Sequence, residues 1–340
     1  MKYTFPLAAV IALVLIAWIG SLIPGMQYLF GVAIPYLAMA LFVGGFCYRV
    51  IQWAKSPVPF KIPTTCGQGY SLPWIKRDKL EAPNNTSEVV ARMFLEIFLF
   101  RSLWRNTTSD VISGPKITYE SSRWLWLFSI VFHYSFLIIV LRHMRMFLEP
   151  VPWLISAMEY GDGIMQIGAP TMYMTDAAII LGLLLLFARR LVNRQVRYIS
   201  LANDYFPLYL IFSIALTGIL MRFFLRDGID VVAIKTLAVG LVTFQPTISG
   251  DIGSIFYIHL FLVCCLLAYF PFSKLMHLGG VFLSPTRNMA NNSRMRRHIN
   301  PWNDPKIKPH SYAGYEDEFR ADMIEQGIPV EKELPTKADD

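Results

Sequence analysis

Apolar residues are gathered into six long stretches, separated by segments rich in polar and charged residues. Each stretch is close to the length that a helix needs to cross a bilayer, about 20 residues. The six stretches are Phe5–Ile23, Tyr28–Val50, Trp124–Phe147, Met172–Phe187, Phe206–Leu225 and Ser254–His277. This pattern predicts an all-α membrane protein with six transmembrane helices.

The composition supports this class of protein. Of the 340 residues, 54% are hydrophobic and 16% are charged, whereas about a quarter of an average soluble domain is charged. The net charge of +7 does not indicate nucleic-acid binding, because basic residues in membrane proteins mark the cytoplasmic loops. The four cysteines form no C-x-x-C pair, so the sequence gives no support for an iron–sulfur, zinc or c-type haem site.

The charges in the connecting segments predict the orientation. Lys and Arg are concentrated in Arg49–Arg123, in Arg189–Arg197 and in the tail after His277. By contrast, Glu149–Thr171 contains acidic residues and no basic one. The positive-inside rule therefore places both termini in the cytoplasm. We expect a multi-pass protein of the cell inner membrane.

This orientation divides the chain into two N-terminal spans (1–53), a cytoplasmic segment (54–122), a region of four spans (123–283) and a cytoplasmic tail (284–340). Apolar residues at helical spacing from Thr86 to Leu103 predict an amphipathic helix, which lies on the membrane surface or against a partner. The Pro-rich run Ser56–Trp74 is expected to be extended. The tail is poor in aliphatic residues, so it is either disordered or wrapped on another protein.

Four of the six histidines fall in two of the six stretches, as the pairs His133/His143 and His259/His277. A histidine inside a span is costly and normally faces the bundle interior, so each is a candidate for function. The two spans run antiparallel. We therefore expect His133 beside His277 on the cytoplasmic side. His143 is expected beside His259 on the outer side.

Each pair can supply the two axial imidazoles of a haem iron, and the sequence therefore predicts two b-type haems. In a straight helix, the step from His259 to His277 is about five turns, or about 27 Å, and places both rings on one face. The step from His133 to His143 rises only about 15 Å. Helix tilt, a kink at Pro271 and the width of the macrocycles must absorb the difference. Zinc is the weaker alternative, because ligands at two depths do not build one tetrahedral site.

Charged residues near the outer pair are candidates for further roles. Arg142 and Arg145 flank His143 and are predicted partners of haem propionates, with snorkelling to the lipid headgroups as the alternative. Three acids of the outer connection, Glu149, Glu159 and Asp162, are candidate proton acceptors beside the outer haem. Their alternative is a solvated outer loop. A haem-free membrane anchor and a six-helix transporter are the rival functions.

The histidine spacings of 10 and 18 residues resemble those of the gamma subunit of respiratory nitrate reductase, a di-haem cytochrome b. The resemblance covers roughly Trp124–His277. It implies an inner haem whose iron is held by His133 and His277. It also implies an outer haem whose iron is held by His143 and His259.

Longer blocks resemble the M subunits of the Dsr membrane complexes of sulfur-metabolising prokaryotes. These blocks are KIPTTCGQGYSLPWIK, YESSRWLWLFSIVFHYSFLIIVLRHMR, DYFPLYLIFSIALTGILMR, GGVFLSPTRNMANNSR and NPWNDP. The resemblance implies a cytochrome b that exchanges electrons with menaquinol or menaquinone. We then expect a quinol site beside the outer haem, where the three acids accept the protons, while a quinone site at the inner haem stays open. The resemblance further implies a cytoplasmic iron–sulfur partner of the heterodisulfide-reductase type and other subunits of a Dsr complex.

Overall fold

A computed structural model describes residues 2–56, 74, 76–114, 116–164, 172–225, 229–250, 252–284, 286–292 and 308–332. Most of the predicted extended run Ser56–Trp74 lies outside these residues, as does the block NPWNDP of the tail. Within the described residues the chain is mainly helical.

The described helices begin with α1 (Thr4–Leu22), α2 (Met26–Tyr28), α3 (Ile34–Ala54), α4 (Thr86–Leu99), α5 (Arg101–Trp104), α6 (Arg123–His143) and α7 (Trp153–Gly163). They continue with α8 (Met174–Val192), α9 (Arg194–Ile199), α10 (Ala202–Ile219), α11 (Val231–Val242), α12 (Ser254–Tyr269), α13 (His277–Leu283) and α14 (Tyr312–Glu325). Two strands, β1 (Thr107–Ile112) and β2 (Lys116–Ser121), lie between α5 and α6. The π-helical segments Leu29–Ala33 and Leu220–Phe224 join α2 to α3 and extend α10.

Five helical segments are long and apolar enough to cross a membrane: Thr4–Leu22, Met26–Ala54, Arg123–Met146, Ala202–Phe224 and Ser254–Phe272. They correspond to five of the six predicted stretches. The remaining stretch, Met172–Phe187, forms α8. This helix has 19 residues but carries Asp176 near its start and Arg189 and Arg190 near its end. These charges make the apolar part of α8 shorter than that of the other five segments.

The long helices pack as a series of neighbours. α6 packs on α8, α8 on α10, and α10 on both α1 and α12, while α12 also packs on α3. Gly182 of α8 permits close contact with α6, because a Cβ atom at this position would lie 3.1 Å from backbone atoms of Phe132. Side chains of Val10, Leu210 and Leu262 fill the junction of α1, α10 and α12. α6, which carries His133 and His143, and α12, which carries His259, thus each have their own packing partners.

The last predicted stretch is not one straight helix, so the prediction of a continuous Ser254–His277 helix is wrong. α12 ends at Tyr269, and Pro271 lies in the 3-10 turn that follows. A second 3-10 turn leads into α13, which begins at His277. Proline lacks the N–H that would continue the helix. The rise from His259 to His277 is therefore not that of a straight helix, in agreement with the predicted kink.

The architecture is mostly helical, as predicted, with one element that the sequence analysis did not foresee, an antiparallel hairpin of β1 and β2. Thr107 pairs with Ser121 at its open end, and Ile112 pairs with Lys116 near the turn. The turn contains Gly114 at φ +88°, a conformation that residues with a side chain rarely adopt. The sequence signal for this hairpin is the glycine turn, followed by Ile117, Thr118 and Tyr119, whose β-branched and aromatic side chains favour a strand.

A helix is present where the amphipathic helix was predicted, as α4 and the short α5. Asn85 caps α4, because its side-chain carbonyl accepts a hydrogen bond from the N–H of Glu88 at 2.9 Å. α4 ends at Leu99, and the residue that caps this end, Phe100, has φ +50°. The indole Nε1 of Trp126 donates to the carbonyl of Leu99 at 2.8 Å, which fixes the end of α4 against α6.

The residues that follow α13 pack back on the segment that holds α4. The Arg92 guanidinium donates to the carbonyl of Glu81 at 3.0 Å and to that of Thr286 at 2.9 Å. The N–H of Asn291 donates to the carbonyl of Pro83 at 2.5 Å. Further along, the tail that was predicted to be disordered or wrapped on another protein contains α14.

Two shorter helices, α7 and α11, lie in connections between the long ones. α11 has 12 residues, fewer than the about 20 that a span needs. Tyr36 of α3 donates its hydroxyl to the carbonyl of Leu241 at 3.1 Å. Leu237 is buried in a cluster with Phe256 and Tyr257 of α12. α11 thus covers the N-terminal ends of α3 and α12.

Candidate functional site

The four histidines of the apolar stretches form two facing pairs, which keep the names inner and outer from their predicted depths. The rings of His133 and His277 have centroids 6.0 Å apart, and their planes meet at 82°. The rings of His143 and His259 have centroids 6.2 Å apart, and their planes meet at 12°. The structure thus brings together the residues that the antiparallel arrangement of the spans had paired.

The separation within each pair matches the donor geometry of one metal held between two imidazoles. With a metal–nitrogen bond of about 2 Å on each side, two such rings have centroids about 6 Å apart. The angle between the ring planes is free, since each ring rotates about its bond to the metal. Both the nearly perpendicular inner pair and the nearly parallel outer pair are compatible with axial ligation of a haem iron.

Hydrogen bonds fix which nitrogen of each ring is available. The Nδ1 atom of His133 lies 2.7 Å from the carbonyl of Ser129, and that of His143 lies 2.7 Å from the carbonyl of Ile139. The Nδ1 atom of His277 lies 2.8 Å from the carbonyl of Lys274. A carbonyl only accepts, so Nδ1 carries the proton in each ring and Nε2 keeps its lone pair. This is the tautomer that metal-binding histidines use.

His259 reaches the same state through another helix. Its Nδ1 lies 3.0 Å from Oγ1 of Thr217 on α10. The Thr217 hydroxyl is also 2.8 Å from the carbonyl of Ser213, to which it donates, so its oxygen accepts from Nδ1. The next residue is Gly218, where a Cβ atom would come within 3.2 Å of Cε1 of His259. α10 therefore both holds this ring and leaves room for it.

The inner pair is flanked by aromatic rings. The ring of Phe100 is edge-on to His133 with centroids 5.1 Å apart, and the ring of Phe132 lies 4.9 Å from the same histidine. Phe100 reaches this position because its left-handed backbone turns the chain between α4 and α5. These rings exclude water from one side of the inner pair.

Arg142, predicted to hold a propionate, is buried in a polar cluster at the outer end of α6. It forms an ion pair with Asp162 of α7 and donates to Oγ1 of Thr175 at 3.1 Å. The N–H of Thr175 donates to Asp162 at 2.9 Å, and Asp176 lies 3.7 Å from the arginine. A buried charge requires such partners. The cluster ties α6, α7 and α8 together next to His143.

Arg145 and Glu159 belong to a second, more exposed cluster. Arg145 forms an ion pair with Glu159, and Arg222 lies 3.2 Å from the same carboxylate. The hydroxyl of Tyr173 accepts from Arg222 at 2.7 Å. Burial alone raises the pKa of Glu159, but the guanidinium groups of Arg145 and Arg222 outweigh burial and hold that pKa below its usual range. Glu159 is therefore ionised at neutral pH.

The third predicted acid lies apart from these two clusters. Glu149 is exposed and forms an ion pair with Lys235 of α11. Each of the three predicted proton acceptors thus has a cationic partner. The roles of these acids, and those of Arg142 and Arg145 toward propionates, stay predictions.

Two cavities open beside the clusters. One of about 310 Å³ lies between α6, α7 and α8, and its lining includes Ile138, Met158, Asp162, Thr175 and Ala178. Its wall is almost wholly apolar apart from the Asp162–Thr175 contact. The other cavity, of about 480 Å³, is lined by Glu159, Tyr160, Gly163, Ile164 and Tyr173. The first cavity, mostly apolar with a few polar groups, has the lining that is typical of a small-molecule site.

Sequence reasoning overlooked several residues of this region. Thr217 and Gly218 touch His259 from another helix, and no periodicity within one stretch reports a contact between helices. Phe100 fell within the predicted amphipathic helix Thr86–Leu103 and was given no role of its own. Tyr173 lies between two guanidinium groups, with Arg142 at 4.1 Å and Arg222 at 4.5 Å from its ring centroid.

Comparison with known proteins identifies the family of this chain. Residues 90–297, more than half of the chain, match the family described as nitrate reductase gamma subunit. The chain belongs to the nitrate reductase gamma subunit family. The resemblance based on the histidine spacings is thereby confirmed. As a nitrate reductase gamma-like membrane cytochrome b with at least five apolar helices among its described residues, the chain is a multi-pass protein of the cell membrane.

Two archaeal proteins are similar to this family member over most of their length. One, from Archaeoglobus fulgidus, is 46% identical over 288 residues, which are 83% of this chain and 85% of the relative. The other, from Archaeoglobus profundus, is 42% identical over 280 residues, which are 80% of this chain and 82% of the relative. Both are named Hdr-like menaquinol oxidoreductase cytochrome b-like subunit.

Proposed function

We propose that this family member is the di-haem cytochrome b subunit of a membrane complex that exchanges electrons with menaquinol. The observation that carries the proposal is the presence of two facing imidazole pairs whose Nε2 atoms are left free. His133 and His277 hold the iron of the inner b-type haem. His143 and His259 hold the iron of the outer b-type haem.

The chain's own residues prepare these sites. Hydrogen bonds at Nδ1 fix the tautomer and orientation of each ring, and Phe100 and Phe132 keep water from the inner pair. Arg142 and Arg145, next to His143, are proposed to share their charge between the acids that they now contact and the propionates. When bound, the two haems supply one-electron centres. They divide the electron transfer across the hydrocarbon core, which is about 30 Å thick, into shorter steps.

The proposed topology has six spans with both termini in the cytoplasm. α8 completes the six spans, because it packs between α6 and α10, which are themselves long and apolar enough to cross. Its charged residues lie toward its two ends. The segments 54–122 and 284–340 then face the cytoplasm, between and after the spans in 1–53 and 123–283.

The menaquinol site is proposed at the outer pair. Oxidation of a quinol releases two protons with two electrons, so the site needs apolar space and a group that takes up protons. The cavity between α6, α7 and α8 offers both, since it is lined by apolar side chains and by Asp162. Glu159 and Glu149 are the further proton acceptors on the way to the outer solution. Protons released outside while electrons move inward make the reaction charge-separating.

The partner is proposed to be a cytoplasmic iron–sulfur subunit of the heterodisulfide-reductase type. Support comes from the names of the two Archaeoglobus relatives and from the resemblance to M subunits of Dsr complexes, which act in dissimilatory sulfur metabolism. Other subunits of such a complex complete the assembly. The partner docks on the cytoplasmic surface of the 54–122 segment and on the tail, on the side of the inner pair.

A reduced-minus-oxidised visible spectrum of the purified protein, with extracted haem quantified per chain, tests the proposal. We expect two low-spin b-type haems per chain, one of them reducible by a menaquinol analogue. The chain must be produced with an ample supply of haem. Protein that is folded and membrane-inserted but free of haem would contradict the proposal and favour a membrane anchor or a transporter.

A further inference from the structure

α4 is polar on the side that faces the protein and apolar on the side that faces away. Arg92 and Glu96 are only 4% and 7% exposed, whereas Val90, Phe94 and Phe98 are 62%, 56% and 47% exposed. Both charged side chains have partners inside. Arg92 binds two carbonyl oxygens, and Glu96 accepts from the N–H and the hydroxyl of Ser102 at 3.0 and 2.6 Å. This polarity is the reverse of that of a helix on a water-soluble surface.

Contacts with α6 place the end of α4 at the depth of the span. The hydroxyl of Tyr134 donates to the carbonyl of Phe98 at 2.7 Å. The Cα of Tyr134 lies about 16 Å along the helix axis from Arg123, the first residue of α6, and its side chain leans back toward that end. The indole of Trp126 binds the carbonyl of Leu99, so the end of α4 lies between the levels of Trp126 and Tyr134. Phe100, two residues past Phe98, contacts His133. The end of α4 therefore lies beside the interior of α6 rather than at its tip.

Aromatic and basic residues mark the water boundary nearby. The rings of Trp104 and Trp126 meet edge-on at 4.6 Å, and the guanidinium of Arg123 lies 4.8 Å from the centroid of Trp104. Trp and Arg at one level are typical of the membrane–water interface. Exposed apolar residues of α6, such as Leu127 and Leu137, continue the outward face of α4 toward the membrane centre.

We propose that α4 lies in the inner leaflet of the membrane, with Val90, Phe94 and Phe98 against lipid acyl chains. The charged side of the helix is then the one sealed inside the protein. The surface is continuous with the lipid-facing side of α6, which identifies lipid rather than a protein as its occupant. The helix covers the inner histidine pair from the side, and this role does not depend on whether haem is bound.

Photo-crosslinking in native membranes tests this assignment. A benzophenone amino acid is placed at Phe94 or Phe98 in the complete complex, and at Tyr119 of the hairpin, which is 71% exposed, as a control. After illumination we expect lipid adducts of the chain at Phe94 and Phe98 and none at Tyr119. Crosslinks from Phe94 to another subunit would overturn the proposal in favour of a protein interface. Absence of any adduct at both positions would place the face in water and overturn it as well.

A different observation points to a residue that positions the outer pair, and this second inference rests on the proposed haem ligands. Among the four rings, His259 is the one whose Nδ1 contacts a side chain, the hydroxyl of Thr217, at 3.0 Å. The other three rings contact backbone carbonyls, which substitution does not remove. We infer that Thr217 is a positioning residue for His259 and sets the reduction potential of the outer haem alone.

The physical reason is the proton on Nδ1. An acceptor at that proton increases the electron density that Nε2 gives to a bound metal. Greater donation stabilises the oxidised iron and lowers its reduction potential. Removing the hydroxyl is therefore expected to raise the potential of the outer haem and to leave the inner haem unchanged.

Redox titration of the Thr217→Val and Thr217→Ser variants tests the inference. Valine keeps the shape of threonine without the hydroxyl, and serine keeps the hydroxyl. In Thr217→Val we expect the reduction equilibrium of one haem to shift about threefold or more toward the reduced form, which is at least about 28 mV for one electron. In Thr217→Ser we expect the reduction potential of that haem to stay at the wild-type value.

An unchanged titration in Thr217→Val, or an equal shift of both haems, would overturn the inference. Loss of the outer haem from both variants would do so too, because packing of the threonine methyl would then be the cause. A wild-type protein without haem would instead contradict the proposed function. The two failures are therefore distinct.

Discussion

The His259→Ala variant is expected to contain one haem per chain instead of two. His259 and His143 face each other at 6.2 Å between ring centroids, so alanine removes one of the two axial ligands of the outer haem. The inner pair lies at a different depth and keeps both rings. His277→Ala is expected to give the converse result. Pyridine haemochrome quantification and redox titration distinguish the haem that each variant retains.

His310→Ala is the matched control for these variants. His310 lies in the tail, is exposed, and its Nδ1 is 3.4 Å from Glu318 at the surface. It faces no other histidine of the described part of the chain, and the variant is expected to keep both haems. If His259→Ala and His277→Ala also kept two haems each, the assignment of ligands to these pairs would be wrong.

The second large effect is expected at a glycine that lies far from both pairs in sequence. A Cβ atom at Gly45 of α3 would lie 2.7 Å from Cβ of Pro271, so the two backbones meet where α12 ends. Gly45→Val must push this segment away, and the displacement is carried to His277. Overpacking of this kind costs about 1–3 kcal/mol of stability. We expect weakened or lost inner haem with the outer haem retained.

Gly44→Val provides the control for this variant. A Cβ atom at Gly44 would meet no atom within 4 Å. Both substitutions place the same β-branched residue in the same helix, so they share the cost of helix propensity. Thermal stability and haem content of the two variants are measured together. Equal behaviour of Gly44→Val and Gly45→Val would show that the contact with Pro271 does not position His277.

The histidine pairs could be predicted from the sequence because they depend on chain order. Two antiparallel spans with two histidines each allow one pairing by depth, and the structure has that pairing. The argument that His259 and His277 share one face of a straight helix was nevertheless wrong, since α12 ends at Tyr269. Depth decided the pairs, and Pro271 decided how His277 reaches its depth.

The charged residues could be predicted only as a group. An acidic outer connection follows from the sequence, but the partners of the acids come from other helices. Glu149 is paired with Lys235, 86 residues away, and Glu159 with Arg222, 63 residues away. The same limit applies to Thr217, which meets His259 across 42 residues. Contacts between helices depend on their rotation about their axes, which one sequence leaves undefined.

The link between Arg92 and Thr286 has a consequence for the biosynthesis of the chain. The two residues are 194 positions apart. At common rates of translation the ribosome needs roughly 10 to 40 s to add that many residues. α4 can therefore meet α6 long before the segment after α13 is made and binds Arg92, so the cover of the inner pair is complete only after the last span. This order leaves an interval in which a cofactor can enter before its cover is closed.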